Sequence, residues 1–198
     1  GAGVHRTSLL FPGIDAAWPR VLATALVGRP ELAAWVDTVV TDLDDWAQTP
    51  AVRGLGLFAD GFSHLLPSSP DDPISPVAAT GPFSLVGNLL TNLVCLAALD
   101  SEGLRPATMA PTTRSAGHSA GLLAAVVATA RGRDGLVPVR VAADAARIAA
   151  IMGAHAARHP WAVSDSAVAA ALAGDQFASL ERGAGKAPMA VHFPRSCL

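Results

Sequence analysis

The sequence runs to 198 residues, 51% of them hydrophobic and 15% charged, with a formal net charge of −2. That length and apolar share suit one domain with a core of its own, and the lack of a basic run argues against a nucleic-acid partner. The longest apolar stretches, Pro82–Leu99 and Leu122–Ala130, are short or interrupted by Gly, Asn or Thr. They read as buried helices, with no membrane expected. Gly1–Gly13 lacks the basic start, apolar middle and small-residue cleavage site of a signal peptide. Cys95 and Cys197 are the two cysteines, which suits a reducing compartment, and a cytoplasmic location is expected.

In chain order, Thr7–Phe11 is a short β-prone run that Pro12-Gly13 stops. A helix is predicted from Ala16 to Leu26. Pro30-Glu31 opens a second, with Leu32, Trp35, Val36, Val39 and Leu43 at helical spacing on one face. Ala51–Leu66 reads as helix plus irregular chain, and Pro67–Pro76 as a Pro-, Ser- and Asp-rich loop. Pro82–Leu99 is the most apolar helix candidate, with Gly103 as its stop. Arg105–Ala110 is a candidate strand. A helix is predicted from Ser119 to about Ala130, then RGRDG (131–135) as a breaker, then a helix over Pro138–His159. Ser164–Ala173 is a further short helical piece, and Met189–Phe193 a β-like run. Helices interleaved with a few short strands predict an α/β fold.

Gly117-His118-Ser119-Ala120-Gly121 has the Gly-x-Ser-x-Gly form of a nucleophile elbow. The chemistry explains the spacing. A nucleophilic serine must stand on a tight strand-to-helix turn, and flanking glycines remove the Cβ atoms that would collide there. The helix that follows offers its N-terminal N–H groups to an oxyanion. No metal site is expected: His155 and His159 stand alone on a helix, without a Cys/His cluster at ligand spacing. GLGLFADG (54–61) is Gly-rich but lacks the strand–loop–helix setting of a phosphate loop.

GHSAGLLAA (117–125) resembles the active-site segment of the acyltransferase domains of type I fatty acid synthases and polyketide synthases, nearest the acetyl and starter-unit acyltransferases. LLFPG (9–13) is similar to the opening strand and turn of that family, SPVAATGPFSLVGNLL (75–90) to a helix start, and IMGAHAARHP (151–160) to the helix end after the elbow. The resemblance spans roughly residues 7–192.

It implies a larger hydrolase-like subdomain, about residues 7–180, with a short parallel sheet flanked by helices. Residues 183–198 would be the start of a ferredoxin-like small subdomain, otherwise mostly absent, or an irregular tail. It implies ping-pong transfer of an acyl group from acyl-CoA to the pantetheine thiol of an acyl carrier protein, alongside other domains of a synthase, with no bound cofactor. Ser119 would be the nucleophile. The backbone N–H groups of Ala120 and Ile14 would form the oxyanion hole, although Ile14 stands where the family usually has Gln. His118 would shape the site, and Asn88 would line the pocket where the family tends to have Gln. Met152 falls where malonyl-selective members carry an arginine, which implies an uncharged acyl group, acetyl or a longer starter. Arg147 or Arg158 would supply charge in a register shifted by one turn.

The catalytic histidine of the family lies past the small subdomain. His192 is the late histidine here, so either it is the base or the chain is a truncated form that lacks one. Two other readings stand beside this one. An α/β-hydrolase (esterase or thioesterase) would use Ser119 with Asp144, Asp165 or Asp175 and His192, and would need several strands ahead of the elbow. A catalytically incomplete remnant of a synthase would serve structure alone.

Overall fold

A computed structural model describes residues 8–54, 58, 60–103 and 114–158. The chain divides into two compact units, 1–154 and 155–198. All the described residues except the last turn of one helix belong to the first. The expected helix at 164–173, the run at 189–193, the candidate strand at 105–110, the boundary near 180–183, and His159, Asp165, Asp175 and His192 lie outside the described residues.

The described residues are α/β, about 65% of them helical, with a short parallel sheet of two strands. Strand β1 is Ser8–Phe11 and β2 is Arg114–Gly117, in register from Ser8 opposite Arg114 to Phe11 opposite Gly117. Between them come α1 (Trp18–Leu26), α2 (Pro30–Ala47), α3 (Pro50–Arg53) and α4 (Gly81–Ser101), with 3-10 turns at Ser63–Leu65 and Pro76–Ala79. After β2 come α5 (Gly121–Val127), which tightens to a 3-10 turn over Ala128–Ala130, and α6 (Val139–Arg158). The strand that enters the elbow is therefore 114–117, so Gly117 of the motif closes the sheet.

Helix α2 follows its sequence pattern. Pro30 supplies the first-turn φ and Glu31 the first-turn negative charge. Leu32, Trp35, Val36, Val39, Val40 and Leu43 form the buried stripe. Trp35 donates its indole N–H to the Val137 carbonyl at 2.8 Å, which ties the chain ahead of α6 to α2. Helix α4 is different: its apolar residues go all the way round, as expected of a helix with neighbours on every side. By length and composition it would also cross a bilayer, so chain length does not exclude a span; most of it is instead buried within the protein. Its polar residues have local partners. Thr91 donates to Gly87 O at 2.8 Å, and Asn88 donates to Ser84 O at 2.8 Å.

Gly87 sits flat on the Trp18 indole, where a Cβ would come within 2.2 Å of the ring. Trp18 is fully buried and donates its N–H to Ala78 O at 2.9 Å. It stacks on Phe62 with centroids 5.8 Å apart, and Phe62 stacks on Phe83 at 5.9 Å. Helix α6 packs by smallness: Ala142, Ala146, Ala149, Ala150 and Gly153 are buried, and a Cβ at Gly153 would stand 2.5 Å from Gly81 O.

Candidate active site

The site is a corner where three backbones meet. Strand β2 ends at Gly117, the chain turns through His118, Ser119 and Ala120, and α5 starts at Gly121. Ser119 has φ +52°, a left-handed conformation that a residue with a Cβ adopts at a cost of about 1–2 kcal/mol. Its side chain is exposed. The turn is closed by the Gly121 N–H on His118 O at 2.8 Å and the Leu122 N–H on Ser119 O at 3.1 Å.

Both flanking glycines are required by sterics. A Cβ at Gly117 would lie 2.1 Å from Gly121 O, and one at Gly121 would lie 2.3 Å from Phe11 O. Neither neighbour is a flexible side-chain end, so no rotamer change makes room. The strained serine is thus held between two residues that cannot carry a side chain, which is the strand–turn–helix setting the motif predicts.

The turn after β1 covers the elbow. The His118 N–H donates to Phe11 O at 3.1 Å and extends the ladder by one step. A Cβ at Gly13 would stand 3.1 Å from His118 Nδ1, 3.3 Å from His118 O and 3.4 Å from Ser119 Cβ. Ile14, the next residue, is 57% exposed. His118 is exposed and stands beside Gly13.

Asn88 lies on the buried helix α4. It is 4% exposed, and its carboxamide is committed to backbone. The Asp15 N–H donates to Asn88 Oδ1 at 2.9 Å, and Asn88 Nδ2 donates to Asp15 O at 3.1 Å as well as to Ser84 O. It borders a cavity of about 250 Å³ with Asn92, Cys95 and Leu10, and Ser119 is not among the residues lining that cavity. Burial pushes the Cys95 thiol above its ordinary pKa.

Met152 is 54% exposed on α6, next to the buried Gly153. Arg147 is committed elsewhere: its guanidinium bonds Asp144 at 2.8 Å and also pairs with Asp42. Asp144, the described acid of the hydrolase reading, is the partner in that pair. Among the described residues ahead of the elbow, β1 and β2 are the two strands, fewer than the several a hydrolase places there. No group of three His, Cys, Asp or Glu residues is placed to hold a metal ion among the described residues.

Sequence spacing predicted a tight strand-to-helix turn at Ser119 and its flanking glycines, and the chain turns there. It did not single out Asp15 or Asn92, whose side-chain and backbone contacts reach across more than seventy residues. Comparison with protein-family models, curated proteins and solved structures found no match.

Proposed function

We propose that this protein is a serine acyltransferase that carries an uncharged acyl group, acetyl or a longer starter, from a CoA thioester to the pantetheine thiol of an acyl carrier protein. The setting is fatty acid or polyketide synthesis in the cytoplasm, beside other domains of a synthase. One observation carries the reading: an exposed serine in left-handed backbone conformation at a glycine-locked strand-to-helix turn. Such strain is kept where it presents a nucleophile.

In the first half-reaction Ser119 Oγ attacks the thioester carbonyl carbon. An O–C bond forms, the C–S bond breaks, and coenzyme A leaves as the thiol with the hydroxyl proton. In the second, the carrier thiol attacks the ester carbon, an S–C bond forms, the O–C bond breaks, and the proton returns to Oγ. Negative charge builds on the carbonyl oxygen both times. The Gly121 and Leu122 N–H groups are used inside the turn, so the elbow's donor is the Ala120 N–H. The Ile14 N–H, one residue past Gly13 on the turn after β1, is the second. The base that shuttles the proton is His192 or a histidine of a longer chain. Arg147 is held by two aspartates and is not available to a malonyl carboxylate, which supports Met152 as the specificity residue and an uncharged acyl group.

The test is intact mass after incubation with acetyl-CoA and, separately, malonyl-CoA, beside Ser119→Ala. A gain of one acetyl group that the variant lacks is expected. A malonyl gain removes Met152 from the specificity role. Free acetate released to water, with no transfer to a carrier thiol, supports the hydrolase instead. A folded chain that neither acyl-CoA labels supports the remnant.

A further inference from the structure

We infer that Asn88 is a positioning residue for the oxyanion hole: it sets the Ile14 N–H over Ser119 by clamping both backbone polar groups of Asp15. The inference rests on the acyl-serine reading and deepens it. The Asn88 carboxamide accepts from the Asp15 N–H at 2.9 Å and donates to Asp15 O at 3.1 Å, so it grips the residue after Ile14 on both sides. Its second amide hydrogen goes to Ser84 O at 2.8 Å, one turn earlier on α4, which fixes the orientation of the amide. One turn later, Asn92 Nδ2 donates to Pro12 O at 3.4 Å. Two amides of one buried helix thus hold residue 12 and residue 15, and Gly13 and Ile14 are suspended between them. Below that span lie His118 and Ser119, both within 3.4 Å of where a Cβ on Gly13 would stand.

Asp15 then starts α1 by accepting the Ala17 N–H on Oδ1 at 2.8 Å and the Trp18 N–H on its carbonyl at 3.4 Å. The hold therefore comes from α4 on one side and α1 on the other. A main-chain donor has no rotamer with which to correct an error, so its aim is set wholly by what holds its neighbours. A misplacement of about 1 Å is worth on the order of a hundredfold in rate.

Asn88→Asp keeps the shape but turns the donor atom into an acceptor that faces Asp15 O and Ser84 O. The readouts are the rate of Ser119 acylation from acetyl-CoA at saturation and the rate of labelling by a fluorophosphonate probe. The second needs the nucleophile and the oxyanion donors but no acyl-CoA recognition. Both rates are expected to fall at least about tenfold, with the half-saturating acetyl-CoA concentration unchanged within about twofold. Thr91→Val is the structural control. It removes the hydroxyl's bonds to Gly87 O at 2.8 Å on the same helix and to Trp18 O at 3.4 Å on α1, leaves the contacts of residues 12–15 with Asn88 and Asn92 in place, and should leave both saturating rates unchanged.

If Asn88→Asp does not fold, Asn92→Ala loosens the Pro12 end and should lower both rates a few-fold. Rates equal to wild type in the folded variants overturn the inference. So does a fall in Thr91→Val that matches the fall in Asn88→Asp. If the wild type takes the probe but no acyl group, the acyl-transfer reading fails, and the clamp is decided by the probe rates. If Ser119 takes neither, both fail.

Discussion

The elbow corner and the helical body are built by opposite means. At the corner, Gly13, Gly117 and Gly121 bring backbone against backbone, and a single methyl group at Gly117 or Gly121 has no place to go. In the body, Trp18, Leu22, Trp35, Leu43, Phe62 and Leu89 fill the space between α1, α2 and α4 with large side chains. One region is defined by atoms that must be absent, the other by atoms that must be present. Large-to-small changes should therefore harm the body and small-to-large changes the corner. Gly87 is where the body borrows the corner's method, since its missing side chain lets α4 lie on the Trp18 ring.

The largest effect belongs to the corner. Gly121→Ala puts a methyl 2.3 Å from Phe11 O, so strand or helix must move. A stability loss of about 4 kcal/mol or more is expected in urea unfolding, with acyl-ester formation lost. Leu89→Ala in the body should cost about 3 kcal/mol through the cavity it leaves, while the ester yield per folded molecule, read by mass, stays at the wild-type level. A corner substitution that spares the ester, or a body substitution that removes it from folded protein, would break the comparison.

Ser119→Gly sharpens it with the opposite sign. It relieves the left-handed backbone at φ +52°, so stability should rise by about 1 kcal/mol while ester formation disappears. A fall in stability would show that Ser119 holds the turn as well as occupying it. The smallest effect is at Cys95, half-buried on α4. Its folded thiol ionises above the ordinary value because burial disfavours the thiolate, whereas the unfolded thiol ionises first. The stabilisation is whole below the unfolded value and is lost as pH rises through the folded one. In a Cys197→Ser background, alkylation by iodoacetamide at about pH 8.5 should lag that of the urea-unfolded chain. Equal rates would place Cys95 in water.

The body was the more legible region. The stripe Leu32, Trp35, Val36, Val39 and Leu43 is buried as its spacing predicts, because helical periodicity is written within a few residues. The stop at Gly103 follows from its left-handed φ of +79°. The corner was legible in part. Two glycines around Ser119 signal a tight turn, and Gly13 ends the β-prone run 7–11, but that Gly13 stands beside His118 follows only once β1 pairs with β2. Asn88 reads as a polar residue on an apolar helix, and such a residue turns to a pocket or to backbone according to what packs above it. Asp15, 73 residues away, decides that.

The sequence by itself determined the long described helices, the α/β class and the tight turn at Ser119, because hydrophobic period and glycine spacing act over one or two turns of chain. Only the tertiary structure decided which strand enters the elbow, that Arg147 is spent on Asp42 and Asp144, and that Asn88 grips the turn above Ser119. Each of those depends on a partner chosen by packing, and a hydrogen bond between residues far apart in the chain exists only once the fold has brought them together.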